Sequence, residues 1–222
     1  MTNHIVKIIQ SFYITHDVKC FMVEKPENYD FILGQATEVS INLPGWEDKL
    51  RPFTFTNLRD KKYLEFMIKI YRDHDGVTNK LGGINAGAEL ILHDVFGAIQ
   101  FKEPGVFIAA GAGITPFIAI FRDLYKQIKL YGNRLIYNNK TSDDVLMDVE
   151  LRKMLKTDYT KVFTREAVIG FTEKRIDRNF LIENISNFGQ HFYVCGPSDF
   201  VANISKHLLE LGVTSETLVV EE

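Results

Sequence analysis

The stretch from Gly105 to Phe121, GVFIAAGAGITPFIAIF, restricts the fold of this chain more than any other. Val106 to Ala110 is a short apolar run bounded by Gly105 and Gly111, with the length and composition of a strand buried on both faces. Gly111 and Gly113 come next, followed by Thr115-Pro116. A proline suits the first turn of a helix, where its missing N–H costs nothing. Phe117, Ile118, Ile120, Phe121 and Leu124 then recur at helical spacing. Strand, glycine turn and helix in that order let a phosphate or a flat ring approach the backbone at a helix N-terminus. The pattern is Gly-x-Gly-x-x-Pro, not the Gly-x-Gly-x-x-Gly of the common dinucleotide fold. It fits equally well a tight turn between a core strand and a core helix, so other parts of the chain must decide.

At 222 residues the chain can form one large or two modest domains around a sizeable core. Its net charge is −3 and it has no basic block, which excludes a nucleic-acid partner as the expectation. No apolar run is long enough to cross a bilayer, and the opening MTNHIVK has no secretory layout, so a cytoplasmic protein is expected. Cys20 and Cys195 are too few for an iron–sulfur cluster, which takes four thiolates, and they fit a reducing compartment. The six histidines show no metal-ligand spacing, so no metal is expected.

The first hundred residues read as β-structure. Ile5–Ile9, Ser11–Thr15, Val18–Val23, Phe31–Gly34, Glu38–Asn42, Phe53–Asn57 and Glu89–Leu92 are short β-branched or aromatic stretches, and Phe96–Phe101 is a candidate last strand. In Tyr63–Tyr71, Leu64, Phe66, Ile68 and Ile70 alternate with Glu65, Met67 and Lys69, the period of a half-buried antiparallel strand. A short helix is expected to start near Thr78. Beyond Pro104-Gly105 strands and helices alternate. The strands are Val106–Ala110, Arg134–Tyr137, Lys161–Thr164, Phe192–Cys195 and Thr217–Val220. The helices are Pro116–Leu130, Val145–Leu155 with Asp143 or Asp144 as N-cap, Asn179–Asn187 and Ser198–Leu211, the last stopped by Gly212. Such alternation predicts a parallel sheet covered on both faces, with ligands at the carboxyl ends of its strands.

Three further motifs carry chemistry. In Arg51-Pro-Phe-Thr, Arg51 can hold a phosphate bidentately, Phe53 can stack on a flat ring and Thr54 can hydrogen-bond its edge. The same residues also read as alternating core positions behind a surface charge. In Asp75-Gly-Val-Thr-Asn, Gly76 to Asn79 offers backbone N–H groups and the Thr78 hydroxyl at a helix start, as any capped turn does. Tyr193-Val-Cys-Gly-Pro is again a buried strand, then Gly196-Pro197, then a helix, with the Cys195 thiol at the strand's carboxyl end. Cys195 also reads as a small buried apolar residue.

Arg-x-Phe-Thr, Gly-Val-Thr-Asn, Gly-x-Gly-x-x-Pro and Cys-Gly-Pro stand in the order and spacing of the ferredoxin–NADP(+) reductase family, which this chain resembles over nearly its whole length. The resemblance implies two domains: residues 1–102 as a six-stranded antiparallel β-barrel for FAD, and residues 103–222 as an α/β domain for the nicotinamide cofactor. The latter would have a five-stranded parallel sheet of order 3-2-1-4-5. Carried over by position, Arg51 and Pro52 border the flavin pyrophosphate, Phe53 flanks the isoalloxazine where the family usually has tyrosine, and Thr54 faces flavin N5. Gly76, Val77 and Thr78 hold the FAD pyrophosphate. Gly111, Gly113, Thr115 and Pro116 border the nicotinamide and its pyrophosphate, and Cys195, Gly196 and Pro197 close over the nicotinamide.

The implied activity is hydride transfer from nicotinamide to flavin, with rings stacked within roughly 3–3.5 Å, and Thr54, Thr115 and Cys195 as the catalytic residues. Electrons then leave singly to a separate acceptor, ferredoxin or flavodoxin in the family, with free flavin or a quinone as other candidates. Thr164-Arg165 after the third strand of the sheet, with Lys174 and Arg175 further on, favours NADPH over NADH, because a 2′-phosphate needs such a cluster. Many family members end in an aromatic residue that covers the flavin; here the chain reads Leu218-Val-Val-Glu-Glu, and Glu221 or Glu222 is a candidate neighbour of the cleft. An electron-transfer subunit of an oxygenase or dehydrogenase, or a non-catalytic binding module, would carry the same fold. The version resembling the dihydroorotate dehydrogenase subunit lacks its C-terminal cysteine cluster here.

Overall fold

The computed structural model describes residues 3–166 and 175–221. The alternation around Leu64, Phe66 and Ile68 becomes a strand whose three apolar side chains are fully buried. It belongs to a sheet formed by β1 (His4–Tyr13), β2 (Val18–Glu24), β3 (Ala36–Ile41), β4 (Arg51–Thr54), β5 (Tyr63–Lys69) and β6 (Glu89–Phe96). The order is β4-β3-β6-β1-β2-β5 and every pair is antiparallel. The sheet curls until its edges meet, where the Thr56 N–H donates to the Glu65 carbonyl at 2.9 Å. Val6, Ile8, Phe21, Phe55, Phe66 and Leu92 fill the barrel.

The helix α1 (Val77–Gly82) places Val77 and Leu81 in that core. Its C-terminal end is held by Lys19, a buried lysine. The Lys19 ammonium donates to the Ile84 carbonyl at 2.6 Å, the Asn85 amide oxygen at 3.1 Å and the Gly82 carbonyl at 3.3 Å. A cation there satisfies carbonyls that the helix leaves unpaired. Burial lowers the lysine's pKa.

Three details of the barrel differ from the sequence expectation. The stretches Ile5–Ile9 and Ser11–Thr15 are one strand, which changes partner near a bulge between Ile8 and Gln10. Its first residues pair with β6 and its later ones with β2. Phe31–Gly34 is not a strand: Phe31 is an inward plug stacked on Phe55 at 4.2 Å between ring centres. Phe96–Phe101 is irregular beyond Phe96, and Ile99 and Phe101 pack toward the second domain.

That domain has β7 (Gly105–Ala110), β8 (Arg134–Asn139), β9 (Tyr159–Phe163), β10 (His191–Cys195) and β11 (Leu218–Glu221). All are parallel, in the order β11-β10-β7-β8-β9, which is 3-2-1-4-5 counted within the domain. The helices are α2 (Thr115–Lys126), α3 (Asp148–Leu155), α4 (Arg178–Asn184) and α5 (Ser198–Glu210). α2 ends before Leu130 because the chain turns at Ile128, whose φ is +59°. α3 starts later than expected, after the left-handed Met147. Asp144 instead closes a capping box with Thr141 around the short turn Ser142–Asp144.

The two domains share an apolar core. Val18 and Met67 of the barrel and Ile99 of the connecting stretch belong to the same cluster as Phe107, Phe117, Phe121 and Tyr193. Phe107 lies at its centre, 4.3 Å from the Tyr193 ring and 5.0 Å from the Phe117 ring. Phe107→Ala should lower unfolding free energy by about 3–5 kcal/mol in urea denaturation, the usual range for deleting a fully buried aromatic ring.

Candidate active site

A cavity of about 590 Å³ opens between the barrel and the carboxyl ends of the parallel strands. This is within the range of small-molecule sites, and it lies where an open α/β sheet binds ligands. The barrel contributes Pro52, Phe53 and Thr54 from β4 and Met67, Ile68 and Lys69 from β5. The second domain contributes the glycine turn, Asn138 and Asn139 at the end of β8, Thr164 after β9, and Cys195-Gly196-Pro197 after β10.

The glycine turn owes its shape to two close constraints. Gly111 has φ +53°, and a Cβ there would meet no atom within 4 Å. Its backbone is therefore open to whatever fills the cavity. At Gly113 a Cβ would sit 2.5 Å from the Cys195 carbonyl oxygen and 2.6 Å from the Gly196 Cα, so only glycine lets the turn press against the end of β10. Tyr137, fully buried, fixes the turn from below: its hydroxyl donates to the Gly111 carbonyl at 2.9 Å and accepts from the Leu146 N–H at 3.4 Å. Burial pushes the Tyr137 phenol far above its ordinary pKa, so it stays a donor. The Thr115 hydroxyl donates to the Ala112 carbonyl at 2.9 Å, which leaves its oxygen lone pairs toward the cavity wall it forms.

Cys195 is a free, buried thiol. Burial, and then the neighbouring Glu221 carboxylate, push its pKa up to about 12. Glu221 stands opposite Cys195 in the β10–β11 ladder and also lines the cavity. Its Oε2 accepts from the Ala98 N–H at 2.8 Å and the Ile99 N–H at 3.2 Å, which ties the last strand to the stretch between the domains.

Across the cavity, the Lys69 ammonium meets Asp17 at 2.6 Å. Burial would raise the Asp17 pKa, but Lys69 and then His16 outweigh it and hold the carboxyl below its ordinary value. Asp17, His16 and Asp144 bring ligand-type atoms within 4.8 Å of one another at this rim. Asp17 is occupied by Lys69 and Asp144 by Thr141.

The structure therefore gathers Pro52, Phe53, Thr54, Thr78, Gly111, Gly113, Thr115, Thr164, Cys195, Gly196 and Pro197 around one space. Other residues singled out in the sequence stand elsewhere. Arg51 is exposed at the start of β4, where its guanidinium donates to the Leu50 carbonyl at 2.7 Å. The Gly76 N–H is taken by the His74 carbonyl, Val77 is a barrel-core residue, and Pro116 is buried at the start of α2. Arg165 and Arg175 are exposed and do not line the cavity, and Lys174 lies outside the described residues. Glu166, beside Arg165, accepts from the Ser142 N–H at 2.6 Å and pairs with its hydroxyl at 3.0 Å. Asp17, Lys69, Asn139, Tyr137 and Glu221 were not singled out by motif, apart from the open question over Glu221, because only contacts between residues distant in sequence give them a place.

Residues 107–206 match the family described as oxidoreductase NAD-binding domain. The chain is 25% identical over 232 residues to a flavohemoprotein of Bacillus subtilis (strain 168), covering 96% of this chain and 55% of that one. It is 25% identical over 222 residues to an NADH-cytochrome b5 reductase 1 of Eremothecium gossypii, covering 90% and 76%. A solved ferredoxin NADP+ reductase from Neisseria gonorrhoeae, with bound FAD and NADP, superposes with a TM-score of 0.87 at 19% identity, covering 100% of this chain and 98% of that one. The chain therefore has the fold of that solved reductase, and residues 107–206 carry its match to the oxidoreductase NAD-binding domain family. It spans about half the length of the flavohemoprotein.

The thiols give the protein an alkaline limit. Cys20 is also pushed up to about 12, by burial and then by Glu65, with Arg122 opposing. Both folded values lie above the ordinary thiol value, so the stability they confer is complete below about pH 9 and is lost as pH rises toward 12. The thermal midpoint should fall from pH 9 to pH 11, and Cys20→Ala should make that fall shallower. An equal slope in wild type and variant would remove Cys20 as a source.

Proposed function

We propose that this protein takes a hydride from NADPH and passes single electrons to a separate acceptor, a ferredoxin, a flavodoxin or a comparable one-electron carrier. The observation that carries the reading is the convergence of Phe53 and Thr54 from the barrel with Gly111, Gly113, Thr115 and Cys195 from the sheet. FAD suits this donor set: an aromatic face at Phe53, a hydroxyl at Thr54, and open backbone at Gly111. Bound FAD supplies what the side chains lack, namely hydride acceptance and release of electrons one at a time.

The residues do the rest. Phe53 would flank one face of the flavin ring, and Thr54 would offer its hydroxyl to the ring's edge. Pro52 and Thr78, which line the cavity, would meet the diphosphate end, with Arg51 beside Pro52 and the helix start at Val77 beside Thr78. Thr115, Pro116 and the two turn glycines border the nicotinamide and its diphosphate, and Cys195, Gly196 and Pro197 close the slot. Because Cys195 stays a neutral thiol below its raised pKa, it shapes the slot without placing an anion beside the rings. Val18, Met67, Ile68 and Leu146 line the same space and exclude water from it.

NADPH is the favoured donor because Thr164 lines the cavity next to the exposed Arg165, with Lys174 and Arg175 further along the chain. The Glu166 carboxylate beside Arg165 is held by the Ser142 N–H and hydroxyl. The likeness to an NADH-cytochrome b5 reductase supports a second reading, NADH as donor and a cytochrome b5-type acceptor. The span of about half a flavohemoprotein likewise supports a role as the electron-transfer part of a larger assembly. Two free cysteines favour a reducing compartment such as the cytoplasm. No helix among the described residues is long and apolar enough to cross a membrane.

The test is an absorbance spectrum of the purified protein before and after anaerobic NADPH, and separately NADH. A bound-flavin spectrum that bleaches faster with NADPH supports the proposal. Faster bleaching by NADH moves it to the second reading, and a protein that stays colourless after incubation with FAD is a binding module instead. Arg165→Ala should raise KM for NADPH more than for NADH; equal effects would take Arg165 away from the 2′-phosphate. Arg51→Ala should weaken FAD retention by about 1.5–3 kcal/mol, the usual worth of a hydrogen bond to a charged group, in a fluorescence titration.

A further inference from the structure

Arg122 bonds to three residues from separate parts of the chain, Glu150, Glu65 and Thr56. Its Nε and one terminal nitrogen form a fork with the two Glu150 oxygens of α3, at 2.8 and 2.9 Å. The other terminal nitrogen donates to Glu65 Oε1 of β5 at 2.7 Å and to the Thr56 carbonyl at 2.8 Å. Glu65 Oε1 also accepts from the Thr56 hydroxyl at 2.7 Å. Burial opposes the charge on Arg122, and Glu150 and Glu65 outweigh it and raise its pKa. One planar guanidinium thus makes four hydrogen bonds to acceptors on both sides of the domain boundary.

Its place in the chain gives this clamp a purpose. Thr56 lies two residues beyond Thr54, on the barrel side of the cavity. Arg122 lies on α2, the helix that starts at Thr115 on the other side. Seven residues of helix separate Thr115 from Arg122, a rigid span of about 10 Å. A second cavity, of about 360 Å³, borders Arg122, Glu65 and Glu150, so close apolar packing does not back the clamp on that side. Partly buried ion pairs of this kind add little net stability over an apolar substitute but fix geometry.

We propose that Arg122 is a positioning residue that sets the domain angle, and with it the separation of the flavin-side residues at Thr54 from the nicotinamide-side residues at Thr115. The inference rests on the proposed function for its catalytic consequence, but its geometric part stands without any cofactor. Arg122→Lys keeps the charge and loses the fork. Glu65→Gln/Glu150→Gln keeps hydrogen-bond acceptors around Arg122 and loses the charge, which guards against an unfolded lysine variant.

The geometric arm places spin labels at Lys62→Cys in the barrel and Lys206→Cys on α5, both native cysteines being buried. Pulsed dipolar spectroscopy should give one narrow distance distribution with Arg122 intact and a broadened or shifted one with Arg122→Lys. An unchanged distribution overturns the proposal. The catalytic arm measures flavin reduction by NADPH in stopped flow. Arg122→Lys should slow the reduction step tenfold or more and weaken the long-wavelength charge-transfer band with NADP+, with FAD and 2′,5′-ADP binding within twofold of wild type. Reduction within twofold of wild type, or a rate loss that only follows weaker cofactor binding, also overturns it. If wild type fails to bind flavin while the distances respond, the functional reading is at fault and the clamp is not.

Discussion

The cleft exists because a curled antiparallel sheet and a parallel sheet are packed against one core. Val18, Met67 and Ile99 are continuous with Phe107, Phe117 and Phe121, so the hydrophobic effect that folds the second domain also docks the barrel onto it. An interface of this kind is unlike the small polar contacts that allow domains to drift. It holds β4 and the glycine turn on facing walls of one cavity, as the proposed hydride transfer requires.

Polar contacts then refine what the apolar core sets coarsely. The Tyr193 hydroxyl donates to the Glu103 carbonyl at 2.7 Å and accepts from the Lys102 and Glu103 N–H groups at 3.0 and 3.1 Å, which fastens the connecting stretch to β10. Glu221 does the same from β11 through Ala98 and Ile99. The same carboxylate belongs to a residue that lines the cavity. Each contact uses backbone groups that would otherwise be left unpaired at a domain boundary.

The strands of the parallel sheet could be read from the sequence because each is a short apolar run bounded by glycine or polar residues; their order was implied only by the family resemblance. The glycine turn was also readable, since Gly113 sits where any side chain would meet β10. Aromatic character misled at Phe31, which is a plug, and at Phe96–Phe101, where the ring of Phe101 packs against Tyr193 at 6.1 Å. Helix starts were displaced where a left-handed residue intervened, as at Met147. Lys69 looks like an ordinary outward position of a strand and Asp17 like a turn residue, and only the fold shows that they meet at the cavity rim. Tyr137 looks like strand core, and its hydroxyl gains a role only from the turn above it.

The most direct measurement is a crystal structure of the protein grown with FAD and NADP+. The isoalloxazine should lie against Phe53 with its N5 edge toward Thr54, and the nicotinamide end of NADP+ should lie between the Gly111–Thr115 turn and Cys195. Flavin density outside this cavity, or dinucleotide bound away from the carboxyl ends of β7 and β10, would contradict the shared-cleft assignment.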